Sequence, residues 1–194
     1  MNNTLANYGF KSRFWGAHTS KFDLPEDLAT QVLNWNAKSF KDKKMFTLVG
    51  NPGLGKTYLC AALANDWIER GEKWIRYYRE SDFIAAIRDV WPDGWDSYKE
   101  IERICEADYF ILDDMFAVYA DNSSQDISKN RVEMIIDAVN IRYENEKPTV
   151  LTSNLTEKEI KEKVAPSFLS RLKASDNVFI ERIWKDKREI IYET

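Results

Sequence analysis

Five short apolar runs punctuate the chain: Met45-Phe46-Thr47-Leu48-Val49, Trp74-Ile75-Arg76-Tyr77-Tyr78, Tyr109-Phe110-Ile111-Leu112, Thr149-Val150-Leu151-Thr152 and Val178-Phe179-Ile180. Each is too short for a helical stripe and is bounded by polar or turn residues. That is the pattern of buried strands. The stretches between them carry apolar residues at helical spacing. Leu24, Leu28, Val32 and Trp35 form one stripe, and Asp23-Leu24-Pro25-Glu26-Asp27 signals its start with an early Pro and first-turn acids. Tyr58 to Ile68 is a run of helix formers without a breaker, and Gly71 marks its end. Ser81 predicts a capped helix to about Trp91, with Phe83, Ile84, Ile87 and Val90 apolar, before the break at Pro92-Asp93-Gly94. Tyr98, Ile101, Ile104 and Cys105 share one side of a shorter helix, and Val132, Ile135, Ile136, Val139 and Tyr143 stripe a long one. Thr156-Glu157-Lys158-Glu159 reads as a capping box, and Pro166 breaks the helix it opens, ahead of Phe168 to Leu172. This alternation predicts a three-layer α/β fold with a mostly parallel five-stranded sheet.

The loop after the first run carries the chemistry. Gly50-Asn51-Pro52-Gly53-Leu54-Gly55-Lys56-Thr57 fits G-x-x-x-x-G-K-[ST], and it stands between a strand and a helix as that motif requires. The glycines let backbone N–H groups turn inward around a phosphate chain, and the helix start adds unpaired N–H groups and a positive dipole end. Pro52 stiffens the loop at a position that need not donate. Lys56 is expected to reach the β- and γ-phosphates and the Thr57 hydroxyl to hold Mg²⁺. Gly50 to Tyr58 is thus the candidate phosphate-binding stretch. Asp113 ends an apolar strand, as a carboxylate that holds Mg²⁺ directly or through water should. Asp114 beside it is the candidate to orient or deprotonate an attacking water. Asn154 follows another strand and is suited to place an amide between the γ-phosphate and water. Loops at the carboxyl ends of parallel strands share one edge, so Gly50, Asp113 and Asn154 are expected to meet there. Adjacent acids also occur as exposed turns, and Asn154 also suits a turn before the Thr156 cap.

Charge and cysteine usage narrow the field. With net charge −4 the surface is not basic throughout, although residues 1–49 carry seven Lys/Arg against four acids. Two unclustered cysteines, Cys60 and Cys105, read as reduced packing residues. The single histidine, His18, gives a zinc or Ser–His–Asp enzyme poor support. No apolar run is long enough for a bilayer and no signal peptide is visible, so no membrane association and a cytoplasmic location are expected. Residues 1–22 form an aromatic and basic extension with Tyr8, Phe10, Phe14, Trp15 and Phe22, which should pack on the domain or cover a ligand.

From the loop onward the order of motifs resembles AAA+ ATPases of the DnaC/IstB-like helicase-loader and transposition-helper group. The likeness runs from about Lys11 to Arg188. It rests on the phosphate loop, on Ile111-Leu112-Asp113-Asp114, on Arg142-Tyr143 closing the long helix, on Thr152-Ser153-Asn154 as sensor 1, and on Ser170-Arg171-Leu172. The resemblance implies ATP and Mg²⁺ as ligands and residues 23–194 as the AAA+ ATPase domain, without a helical lid. It makes Arg171 an arginine finger reaching the γ-phosphate bound to a neighbouring subunit, so self-association would be head-to-tail. Trp184-Lys185-Asp186-Lys187-Arg188 makes Arg188 a candidate second sensor. Three departures stand out: Asp114 replaces the usual Glu, Ser167 stands where many relatives carry an arginine, and only about fifty residues precede the loop. The last suggests a phage or mobile-element version, or a separate partner domain. The resemblance implies a helicase loader of DNA replication that assembles a ring helicase, the replicative helicase, on single-stranded DNA. A transposition-helper ATPase and an ATP-gated binding module with little hydrolysis remain alternatives. A small-molecule P-loop kinase lacks a clear Arg-rich lid. For DNA contact the candidates are Asp121–Lys129, Arg76, Arg79 and Lys99.

Overall fold

Alternation along the strands sorts the core of the molecule into two layers. In the computed structural model, which describes residues 4–21, 26–38, 44–88, 97–120 and 125–182, five strands form one sheet. They are β1 (Met45–Gly50), β2 (Ile75–Arg79), β3 (Tyr109–Met115), β4 (Thr149–Ser153) and β5 (Val178–Arg182). Their order is β2-β3-β4-β1-β5, and every neighbouring pair is parallel. Seven α-helices accompany them among the described residues: α1 (Glu26–Lys38), α2 (Lys56–Glu69), α3 (Glu80–Arg88), α4 (Ser97–Cys105), α5 (Gln125–Glu144), α6 (Glu157–Lys163) and α7 (Pro166–Leu172). Tyr109 and Ile111 of β3 pack with α1 and α2 on one face, whereas Phe110 and Leu112 pack with α3 to α7 on the other. Both faces of the sheet are therefore covered, which is why its strands read as continuous apolar runs. The described residues contain no helical lid domain and no helix long and apolar enough to cross a membrane.

The α1–α2 layer shows how the sequence holds itself in place. Leu28, Val32 and Trp35 are buried as the stripe predicts, and Leu24 lies outside the described residues. Trp67 donates its indole N–H to Asn36 Oδ1 at 2.9 Å, and Arg70 donates to the same oxygen at 2.8 Å. One buried amide thus satisfies groups from α2 and ties it to α1. The amino-terminal segment lies on this layer in short 3-10 turns, with Leu5, Phe10 and Ala17 buried. Phe10 stacks on Tyr77 with ring centroids 3.8 Å apart. Asn65 donates to the Ala17 carbonyl at 2.6 Å, and Thr19 donates to Asp66 at 2.7 Å. His18, also in this segment, stands 3.5 Å from Glu69 and, with Asp66, groups three side chains able to ligate a metal.

Several local expectations need correction. Ser81 does not cap a helix: β2 runs directly into α3, which starts at Glu80, and Ser81 sits in its first turn. β3 takes in Asp113 and Asp114, as expected of a run that ends in them, and continues one residue further to Met115. Pro166 opens α7 at its first turn, where a missing N–H costs nothing. Tyr98 is exposed, unlike Ile101, Ile104 and Cys105. Lys129 lies on α5 rather than in a polar loop, and residues 121–124 lie outside the described residues. The Thr156 capping box is formed in full, with Glu159 N–H on Thr156 Oγ1 at 3.2 Å and Thr156 N–H on the Glu159 carboxylate at 2.9 Å.

Candidate nucleotide-binding site

Backbone geometry makes the phosphate loop. Gly50 ends β1 with φ of 143°, and a Cβ there would sit 1.7 Å from the Arg182 carbonyl oxygen of β5. Only glycine lets the two backbones approach so closely. Gly55 is the residue before α2 and holds φ of 79°, a left-handed turn that aims the helix start at the loop. Lys56 is buried, and its ammonium donates to the carbonyls of Gly50 at 2.6 Å and Asn51 at 2.9 Å. Pro52, Gly53, Leu54, Gly55, Lys56, Thr57 and Tyr58 line a cavity of about 380 Å³ with Asp113, Asp114 and Asn154. The sheet edge therefore brings together the loop, the two acids and the asparagine expected there.

Asp113 is the buried centre of the site, at 1% exposure. The strand period turns its side chain toward α2, where Thr57 donates to Oδ2 at 2.8 Å and the Cys60 thiol faces Oδ1 at 3.8 Å. Tyr77 of β2 donates to Oδ2 at 3.1 Å, and Thr152 of β4 donates to Oδ1 at 2.6 Å. These four donors match the lone-pair sites of one carboxylate. Burial and the neighbouring Asp113 charge push the Cys60 thiol and the Tyr77 phenol well above their usual ranges, so both stay protonated donors. The 2.8 Å between Thr57 Oγ1 and Asp113 Oδ2 suits two neighbouring ligands of an octahedral Mg²⁺ with bonds of about 2.0–2.1 Å. Both are hard oxygen donors, so the residues present fit that ion.

Asp114 lies at the cavity wall with φ of 63°. Its N–H donates to Thr152 Oγ1 at 2.9 Å, and the Asn154 amide donates to its carboxylate. Thr152 thus holds both acids, Asp113 through its proton and Asp114 through its oxygen. Arg79 ends β2 near Tyr77, Asp113 and Asp114. Burial alone would lower its guanidinium, but Tyr77 and the two carboxylates outweigh that and raise it. Arg79, offered by the sequence for DNA contact, is half-buried and pairs with Asp113 across β2 and β3, while Arg76 and Lys99 are exposed.

Two wall residues were not legible as site residues. Arg13 and Phe14 also line the cavity, with the guanidinium carbon 4.6 Å from the ring centroid. The aromatic density of the extension was their only signal. Cys60 reads in the sequence as a packing residue, Tyr77 as part of a strand and Thr152 as part of the sensor 1 stretch, and the bonds of Tyr77 and Thr152 to Asp113 depend on register across three strands. Arg171 is not in the pocket of its own chain. It lies on α7, where Nη1 donates to Asn140 Oδ1 at 2.7 Å. Arg188 lies outside the described residues. Arg142, part of the resemblance, is buried at the far end of the sheet. It donates to Thr149 Oγ1 and to the carbonyls of Cys105, Ala107, Asp108 and Pro148. Burial lowers its guanidinium to about 10.

Comparison with known proteins bears on this geometry. The family described as IstB-like ATP binding protein matches residues 19–172. The chain is 30% identical over 114 residues to the phage-like element PBSX protein XkdC of Bacillus subtilis, covering 59% of this chain and 41% of that one. It is 22% identical over 144 residues to the replicative helicase loader DnaC of Escherichia coli, covering 74% of this chain and 56% of that one. The chain thus spans about half the length of these curated relatives. Among solved structures, a DnaC helicase loader superposes with a TM-score of 0.69 at 18% identity, over 90% of this chain and all of that one. The replication initiator DnaA bound to AMPPCP and single-stranded DNA gives 0.69 at 20% identity, over 87% of this chain and 50% of that one. At these identities the likeness is one of fold, a parallel sheet covered by helices on both faces.

Proposed function

Because the chain belongs to the family of IstB-like ATP-binding proteins, we propose that it binds and hydrolyses ATP as an assembly factor that places a ring helicase on single-stranded DNA. The observation that carries the ATPase reading is the convergence of Lys56, Thr57, Asp113, Asp114 and Asn154 on one cavity. On this reading residues 23–194 are the ATPase domain, and residues 1–22 are an extension that walls its pocket through Arg13 and Phe14. The loop from Gly50 to Tyr58 wraps the phosphates, with Lys56 leaving its carbonyl partners for the β- and γ-oxygens. Thr57 and Asp113 hold Mg²⁺, which, when bound, neutralises charge on the phosphates. Asp114 takes the proton of the attacking water, and Asn154 fixes the position of both. Arg171 serves a neighbouring subunit's site, and Arg188 is a second sensor. The helicase and DNA roles rest on the likeness to the helicase loader DnaC and to DnaA bound to AMPPCP and single-stranded DNA.

Phosphate release, measured with and without single-stranded DNA, tests this directly. Turnover that DNA stimulates and Lys56→Ala abolishes supports the ATPase. Tight ATP binding without turnover makes the protein an ATP-gated binding module. Capture of a replicative helicase rather than a transposase separates a loader from a transposition helper, which would use the same residues.

A further inference from the structure

The backbone between the pocket and α7 follows an unusual path. Asp114 and Phe116 both hold φ of 63°, a region that bulky residues rarely occupy. β3 also carries an extra residue here, since Leu112 pairs with Leu151 and Met115 with Ser153. Two other elements, β4 and α3, hold the distortion in place. Thr152 takes the Asp114 N–H, the Ser153 hydroxyl donates to the Met115 carbonyl at 2.7 Å, and Glu80 takes the Ala117 N–H at 2.6 Å. Outliers fixed from several sides collect where the strain has a use.

The two outliers face different neighbours. Asp114 lines the cavity. Phe116 is buried, and its ring meets the equally buried Phe168 edge-on, with centroids 5.5 Å apart and planes at 82°. Phe168 lies on α7 one turn before Arg171. Tyr119, whose ring is 6.5 Å from Phe116, donates its hydroxyl to the Lys163 carbonyl at the end of α6. A short path through the backbone at Phe116 and its ring contact with Phe168 therefore connects the cavity-lining Asp114 with the helix that carries Arg171.

We propose that Phe116 and Phe168 are positioning residues that tie the setting of Arg171 to the state of Asp114 in the same subunit. The proposal rests on the reading that Arg171 completes a neighbour's site. Interlocked rings in a dense core shift together rather than deform. A turn of the backbone at Asp114 as it engages water would carry Phe116, and with it α7. ATP in one pocket would thereby set the finger offered to the next.

Subunit mixing tests this. Phe116→Gly accepts the same φ and removes the ring; Phe168→Leu keeps the core apolar. Both are expected to bind ATP as the parent does but to hydrolyse it slower by roughly tenfold or more, since misplacing a catalytic group by about 1 Å costs on the order of 10²-fold. Mixed with Lys56→Ala subunits, which supply intact fingers, each variant should regain activity. Mixed with Arg171→Ala subunits, which need a finger, neither should. Rescue by Arg171→Ala subunits would mean that the rings serve the subunit's own Asp114, and it overturns the proposal, as does unchanged hydrolysis. A control mixture of Lys56→Ala with Arg171→Ala separates the two levels. If that mixture co-assembles and stays inactive, the shared site itself is wrong and the inference falls with it. Should Phe116→Gly lose ATP binding through misfolding, Phe168→Leu decides by the same criterion.

Discussion

Asp113 is a carboxylate with every lone pair engaged, and its neighbour Asp114 is tied down by one amide and one hydroxyl. That difference separates their expected roles under substitution. Asp113→Asn presents an amide N–H to groups that already donate, at a cost of about 1–3 kcal/mol, and it should weaken the Mg²⁺ dependence of ATP binding. Asp114→Asn should leave ATP affinity intact and slow hydrolysis, because an amide is a poor base. A nucleotide titration beside a single-turnover assay distinguishes the two. Normal hydrolysis by Asp114→Asn at saturating ATP would move the water-orienting role to Asn154. The thiols make a separate prediction. Burial raises Cys60 well above its ordinary value and Cys105 up to about 12. Neither should react with a thiol reagent at pH about 8 in the native protein, and both should react in denaturant. The unfolded chain loses these protons from about pH 8.5 while the native chain keeps them, so stability should fall as pH rises above that point. Rapid labelling of two thiols in the folded protein would refute the burial argument.

At the scale of elements, Arg142 shows how one residue can close a fold far from its chemistry. It joins α5 to the segments entering β3 and β4 through four carbonyls and the Thr149 hydroxyl. Arg142→Met leaves buried acceptors without a donor, which should destabilise the protein by about 3 kcal/mol or more. For a chain of this size that lowers the melting temperature by about 6–12 °C. ATP affinity well below the transition should not change, because the residue sits at the other end of the sheet. Loss of affinity without loss of melting temperature would contradict a structural role. The same residue marks the boundary of what sequence reading can do. The likeness to DnaC/IstB-like proteins picked out Arg142-Tyr143, but nothing in the sequence said that the guanidinium would be buried among carbonyls. The phosphate loop was legible because its chemistry is local: eight adjacent residues between a strand and a helix fix their own backbone. Asp113, Asp114 and Asn154 were legible because parallel strands share one edge. The Thr152 clasp was not, since it needs the register of β3 on β4 and the extra residue after Leu112. Phe14 belongs to the aromatics expected to pack on the domain or cover a ligand, but its place beside Arg13 at the cavity was not legible, because the extension is held by contacts such as Phe10 on Tyr77, 67 positions apart in sequence.

At the scale of the molecule, Arg171 stands outside its own pocket, and its bond to Asn140 anchors it to α5. An arginine so placed fits the proposal that it serves as a finger for a neighbouring subunit. Contact between a finger face and a pocket face is heterologous, so subunits would stack head-to-tail in a ring or an open spiral. Hydrolysis would then require encounter. The rate per subunit should be low in dilute solution and rise with protein concentration until assembly is complete. Sedimentation in ATP should show larger species over the same range, and Lys56→Ala, which cannot hold the bridging phosphates, should stay small. Arg171→Ala should bind ATP normally and hydrolyse it slowly at every concentration, since fingers of this kind contribute about 10³–10⁵ in rate. A partner that clusters subunits should raise the rate at a fixed low concentration, which would couple turnover to arrival at a helicase or at DNA. A constant rate per subunit, with the protein sedimenting as a monomer throughout, would place the whole active site within one chain. Arg171 would then be a surface arginine that braces α7 against α5.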